Sequence, residues 1–166
     1  MKPHIIIIHG PAGTGKTTVA TLLHKKMPKS ALLSVDAIKQ FIAYESGNAS
    51  HLKLALEMTI TMARTYLKNG YVVIIERALS RDDLLLLLTL KKQAPVLIYQ
   101  LEALVPTALK RVEQRKKNSP YTSPPRARVK KSHATYHSGI YPKARIFDSE
   151  HMTSNMIARE ILKELT

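Results

Sequence analysis

Nine residues near the amino terminus constrain this chain more than any others: Gly10-Pro-Ala-Gly-Thr-Gly-Lys16-Thr17, with Thr18 directly behind. The spacing G-x-x-x-x-G-K-[ST] is that of a loop whose backbone curls around phosphate. Such a loop needs a buried strand to deliver the chain, small residues to bend it, and a helix to close it. Ile5-Ile6-Ile7-Ile8 is an apolar, β-branched run that reads as a strand buried on both faces. Behind Lys16, the residues Val19, Ala20, Leu22 and Leu23 recur at helical spacing. Gly10, Gly13 and Gly15, with the small residues Ala12 and Thr14 between them, let successive N–H groups point inward at phosphate oxygens. The N–H groups opening the helix, at Lys16, Thr17 and Thr18, add to that ring. Lys16 supplies a point charge for the β- and γ-phosphates, and the Thr17 hydroxyl is placed to hold Mg²⁺. A glycine-rich turn that binds nothing is the competing reading, and the strand–loop–helix context weighs against it. The stretch implies a bound nucleoside triphosphate.

With 166 residues, 45% of them hydrophobic, the chain is expected to be a single domain spanning residues 1–166. It has no cysteine, so a disulfide framework and a thiolate metal site are both excluded. The first four residues and the isoleucines behind them are too short for a signal peptide, and the leucine run at residues 84–88 is far below spanning length. A cytoplasmic protein with no membrane partner is the expectation. The net charge of +14 is concentrated: nine Lys/Arg and one acid, Glu113, lie in residues 110–131. A basic lid closing over a triphosphate accounts for this. A polyanionic partner, RNA or DNA, is the sharper alternative. With no Trp and two Phe, a base-stacking platform is poorly supported, although Tyr121, Tyr136 and Tyr141 lie near the basic segment.

Apolar runs at residues 31–35, 71–75, 96–101 and 144–147 read as four further strands. Helices are expected between them: from Ala37, from the N-cap Ser50 to the stop Asn69-Gly70, from the cap Ser80 to Lys92, from Pro106, from Pro124 or Pro125 to Gly139, and from the cap Thr153. Residues 47–49 and 118–125 read as loops. Strands alternating with helices imply a parallel sheet covered on both faces, with its site at the strand carboxyl ends. That end collects the loop, Asp36, Glu76, Ala103 and Asp148.

Asp36, one strand from the loop, is the candidate carboxylate for an acceptor hydroxyl; an N-cap role for the helix at Ala37 is the alternative. Glu76 ends an apolar strand where an acid could hold Mg²⁺ through water, or else pair with Arg77 or Arg81. Arg111 and Arg115 lie four apart on one helix and can bring guanidinium charge to a transferring phosphoryl group. Arg77 and Arg81 are secondary candidates. His4, His9, His133 and His137 show no metal-ligand spacing.

The stretches IIIIHGPAGTGKTT, LLSVDAIKQFI, YVVIIERALSR, LIYQLEALVPTALKRVEQR and RIFDSEHMTSNMIAREIL together resemble the small P-loop kinases grouped with zeta toxins, chloramphenicol phosphotransferase, gluconate kinase and the kinase domain of polynucleotide kinase. The resemblance covers nearly the whole chain. It implies a three-layer P-loop fold, a five-stranded parallel sheet in the order 2-3-1-4-5, ATP as donor, Asp36 as the acceptor-binding acid, and a helical lid over residues 110–138 carrying Arg111 and Arg115. Two positions depart from the group: Asp36-Ala37-Ile38-Lys39 stands where many relatives read Asp-Asp-Ile-Arg, and the third strand ends in Glu76 where Asp is commoner. The expectation is an ATP- and Mg²⁺-dependent phosphotransferase acting on a small-molecule or nucleotide hydroxyl. A polynucleotide 5′-hydroxyl kinase and a non-catalytic ATP-gated binding protein are the competing readings.

Overall fold

The computed structural model describes residues 2–42, 49–118, 124–136 and 141–165, without the side chains of residues 49 and 116–118. The loop expected at residues 47–49, Tyr121, His137 and Gly139 lie wholly or largely outside the described residues. Five strands, β1 (Ile5–His9), β2 (Ser30–Ser34), β3 (Val72–Glu76), β4 (Val96–Glu102) and β5 (Arg145–Asp148), form one parallel sheet in the order β2-β3-β1-β4-β5. That is the order the resemblance implied. β1 and β3 are buried along their whole length, which is why they read as unbroken β-branched runs.

Side-chain alternation splits the core in two. On one face Ile5, Ile7, Val73, Ile75 and Ile98 pack against the helices α2 (Val35–Gln40), α3 (Ala49–Lys68) and α4 (Arg81–Leu87). On the other, Ile6, Ile8, Ile74, Tyr99 and Leu101 pack against α1 (Lys16–Lys26) and α7 (Ser154–Glu164). A third, small cluster joins α5 (Val105–Asn118) and α6 (Arg126–Thr135): Ala108, Leu109, Val112 and Val129, with Ala12 of the glycine-rich loop packed against them. α5 and α6 fall within the lid interval expected from sequence, except that α5 begins earlier.

Several boundaries differ from the expectation for identifiable reasons. Ser34 pairs with Glu76 at the end of β2, so the turn into α2 comes at once and Val35 and Ile38 form its buried face. Ser34 is therefore the N-cap, and Asp36 lies inside the first turn, where its charge suits the helix dipole. Ser50 lies inside α3, which starts at Ala49. α4 tightens at Leu88 into a 3₁₀ turn through Lys92, a common ending ahead of a break such as Ala94-Pro95. The caps at Ser80 and Thr153 form as read, Ser80 in a reciprocal capping box with Asp83.

Candidate active site

β1 delivers the chain to the loop at the centre of the sheet, between β3 and β4. Gly10 turns there with φ +133°, and a Cβ at that position would lie 2.2 Å from the Leu101 carbonyl oxygen. Gly13, at φ +81°, runs against α5, where a Cβ would meet Ala108 O at 2.7 Å. These two glycines let the loop pass between β4 and α5. Thr14 Oγ1 donates to Pro11 O at 2.9 Å and closes the loop internally. Gly15 then caps α1, whose first intrahelical bond is Val19 N–H to Gly15 O at 3.0 Å. The N–H groups of Lys16, Thr17 and Thr18 thus precede the helix ladder, at the positive end of its dipole. Lys16 Nζ donates to Pro11 O at 2.7 Å. Burial lowers its pKa, a trend opposed by Glu76 and Asp36 and reinforced by Arg77 and Arg115.

Glu76 ends β3 almost wholly buried, on the α1 face. It accepts from Ser34 Oγ at 2.6 Å and from Thr17 Oγ1 at 3.3 Å. Neither Arg77 nor Arg81, its expected alternative partners, appears in these bonds: Arg77 points to the opposite face and pairs with Asp36. Asp36 has most of its side chain in solvent, whereas the Arg77 side chain is 12% exposed and its Nε is buried with no hydrogen-bond partner in the structure. The donor set of Thr17 hydroxyl and Glu76 carboxylate suits Mg²⁺, which takes few protein ligands and completes its shell with phosphate and water. Among the described residues no cluster of three His, Asp or Glu side chains offers a cage of the other kind.

The two arginines read as a pair are separated in what they do. Arg111 donates from Nη1 to Ser149 Oγ at 3.1 Å and from Nη2 to Ser149 O at 2.6 Å, fastening α5 to the turn after β5. Arg115 is exposed, and its charge reaches Lys16. Asp148, at the sheet edge, accepts from His151 and from the Glu150 N–H, bonds that hold its carboxyl below the usual range.

Three residues at the loop, two of them histidines set aside above for want of metal-ligand spacing, make contacts there that the sequence does not assign them. His9 is fully buried with neither ring nitrogen partnered, and burial, aided by the Lys16 charge, lowers its pKa to about 4. Ser132 Oγ accepts the Ala12 N–H at 2.9 Å, and His133 Nε2 lies 2.9 Å from the Ala12 carbonyl oxygen, to which it donates. The available signal was the spacing Val129, Ser132, His133, one face of a helix otherwise dominated by exposed cations.

No curated protein sequence matches the chain. Among solved structures, the tunicamycin resistance protein of Deinococcus radiodurans is similar at 19% identity and a TM-score of 0.73, over 99% of this chain and 96% of that one. A gluconokinase from Sinorhizobium meliloti 1021 is similar at 17% identity and a TM-score of 0.70, over 98% and 91%. The Mycobacterium tuberculosis APS kinase CysC, solved with AMPPNP and APS, is similar at 15% identity and a TM-score of 0.70, over 99% and 98%. At these identities the likeness is one of fold, and the fold is that of P-loop kinases. A match over residues 5–138 to the AAA domain family spans most of the sequence, and the chain belongs to that family.

Proposed function

We propose that this protein is an ATP- and Mg²⁺-dependent phosphotransferase acting on a hydroxyl of a small molecule or nucleotide. The observation that carries the reading is the Ser34–Glu76–Thr17 hydrogen-bonded set beside Lys16, with the Asp36 carboxylate open to solvent one strand away. A nucleotide-binding module needs only the loop. An acid on each side of the strand end, one turned to the hydroxyl of Thr17 and one turned to solvent, gives separate places for metal and acceptor. Two of the similar structures are kinases by name, a gluconokinase and an APS kinase, which supports the reaction class and leaves the acceptor open.

In this mechanism the loop N–H groups and Lys16 hold the β- and γ-phosphates, Lys16 leaving Pro11 O to do so. Mg²⁺, held by Thr17 and by Glu76 through water, would neutralise charge on the same phosphates. Asp36 accepts a hydrogen bond from the acceptor hydroxyl and aims its oxygen at the γ-phosphorus. A new P–O bond forms to that oxygen while the bond to the β,γ-bridging oxygen breaks, ADP leaves with the electron pair, and the hydroxyl proton passes to Asp36 and on to solvent. Arg77 holds Asp36 in place. Arg115, from a lid made by residues 110–138, adds charge opposite the transferred group, and lid closure excludes the water that would otherwise take the phosphoryl.

Phosphate transfer from labelled ATP to a panel of sugars, nucleosides and other hydroxyl compounds tests this. Lys16→Ala should weaken triphosphate binding far more than adenosine binding. Asp36→Asn should leave ATP affinity nearly intact while turnover falls on the order of a hundredfold or more. Tight ATP binding with no product from any acceptor, and no effect of Asp36→Asn, would favour a nucleotide-gated binding protein.

A further inference from the structure

Among the described residues, two side chains of α6 hydrogen-bond to one residue of the loop, and they engage both of its hydrogen-bonding groups. The Ala12 N–H donates to Ser132 Oγ, and the Ala12 carbonyl accepts from His133 Nε2, each at 2.9 Å, across 120 and 121 positions of sequence. Both side chains sit on the inward face of α6 with the fully buried Val129, which packs in the α5–α6 cluster that also covers the Ala12 methyl. Fixing the N–H and the C=O of one residue fixes the two peptide planes that flank it. Those planes lead directly into Gly13, where the backbone is at positive φ, and so into the amides facing phosphate.

We propose that Ser132 and His133 are positioning residues for the phosphate loop, so that α6 and the donor phosphates stabilise one another through Ala12; this rests on reading residues 10–17 as the nucleotide site. Without these two bonds the loop samples more conformations, and donor phosphates must order it on binding. Because such coupling is reciprocal, a bound triphosphate raises the stability of α6 by the same factor that α6 raises triphosphate affinity. The helix that carries Arg128, Lys130 and Lys131 on its outer side is thereby ordered by the donor. His133 serves as donor to a carbonyl, a role that a glutamine side-chain amide can reproduce and alanine cannot.

The test measures binding of the magnesium complex of β,γ-imido-ATP by calorimetry, with hydrogen exchange at the amides of residues 129–133 in the presence and absence of that ligand. Ser132→Ala and His133→Ala should each weaken affinity about fivefold, the worth of one neutral hydrogen bond, and His133→Gln should recover most of the loss. The ligand should slow exchange in α6 of the wild type and slow it less in the alanine variants. Unchanged affinity in both alanine variants, even with a lowered unfolding temperature, would overturn the proposal, as would a His133→Gln variant as weak as His133→Ala. Failure of the wild type to bind the triphosphate at all would instead overturn the nucleotide reading on which it rests.

Discussion

His9 is costly to place near the loop. It ends β1 with no solvent exposure and no partner for either ring nitrogen, and Lys16 lies close enough for its charge to act on the ring. A ring so placed folds as the neutral base, which is why its pKa falls from the ordinary 6.5 to about 4. The sign of the consequence follows. Between these two values the unfolded chain binds a proton that the folded chain does not, so folding weakens as pH drops. Stability from His9 is complete above about pH 6.5, is lost progressively down to about pH 4, and is lost no further below that. The whole interval is worth about 3 kcal/mol at 1.36 kcal/mol per pKa unit. Denaturant unfolding of the wild type and of His9→Gln at pH 7, 5.5 and 4.5 isolates this share from other titrations. The gap between the two proteins should shift by about 2.5 kcal/mol from pH 7 to pH 4.5, and parallel pH profiles would contradict it.

Among the elements, α5 determines how closely the loop can be covered, and Gly13 is the point of contact. A Cβ there would lie 2.7 Å from Ala108 O and 2.9 Å from Ala108 Cβ, atoms fixed in the helix, at a φ of +81° that disfavours any side chain. Gly13→Ala should therefore cost about 2–3 kcal/mol from backbone strain and overpacking together. In a chain of this size that lowers the unfolding temperature by roughly 5–10 °C in a thermal melt. Gly15→Ala, whose Cβ would meet only the Ser154 hydroxyl at 3.4 Å, should cost less; equal losses would remove α5 packing as the cause. This contact also marks where the sequence was legible and where it was not. Strands β1 to β4 and the loop were readable because burial on both faces makes unbroken apolar runs and because phosphate demands glycine. The carboxyl-end positions of Asp36 and Glu76 followed from the same alternation. The partners did not follow. Arg111 reaches Ser149, and Ser132 and His133 reach Ala12, through the seating of α5 and α6; local spacing puts Ser132 and His133 on one face with Val129 but does not say what that face meets. The cap of α2 falls on Ser34 rather than on Asp36, the alternative role weighed for that acid, because the turn into α2 depends on the register of β2 against β3.

At the scale of the whole molecule, the charge is the property the proposed chemistry uses least. The chain carries 26 Lys and Arg against 12 Asp and Glu. The ion pairs formed by the described residues absorb few of the cations, among them Arg77, Arg126, Arg145 and Lys163. On α6 the inward face is taken by Val129, Ser132 and His133, which leaves Arg128, Lys130 and Lys131 exposed on the outer side. A triphosphate beneath α6 cannot reach that outer side, so those charges need another account. A polynucleotide 5′-hydroxyl acceptor would supply one, with phosphates running over α6 away from the transfer site. Each phosphate neutralised on a single strand releases a counterion, so three contacts predict a log–log slope of affinity against salt of about −2. Binding of a single-stranded oligonucleotide, read by anisotropy from 50 to 300 mM salt, measures it. Reversing Lys130 and Lys131 to glutamate should flatten the slope and leave β,γ-imido-ATP affinity unchanged, because neither side chain faces the loop. A flat salt response in the wild type would instead return the acceptor to the small molecules, and leave the outer charge of α6 without a part in catalysis.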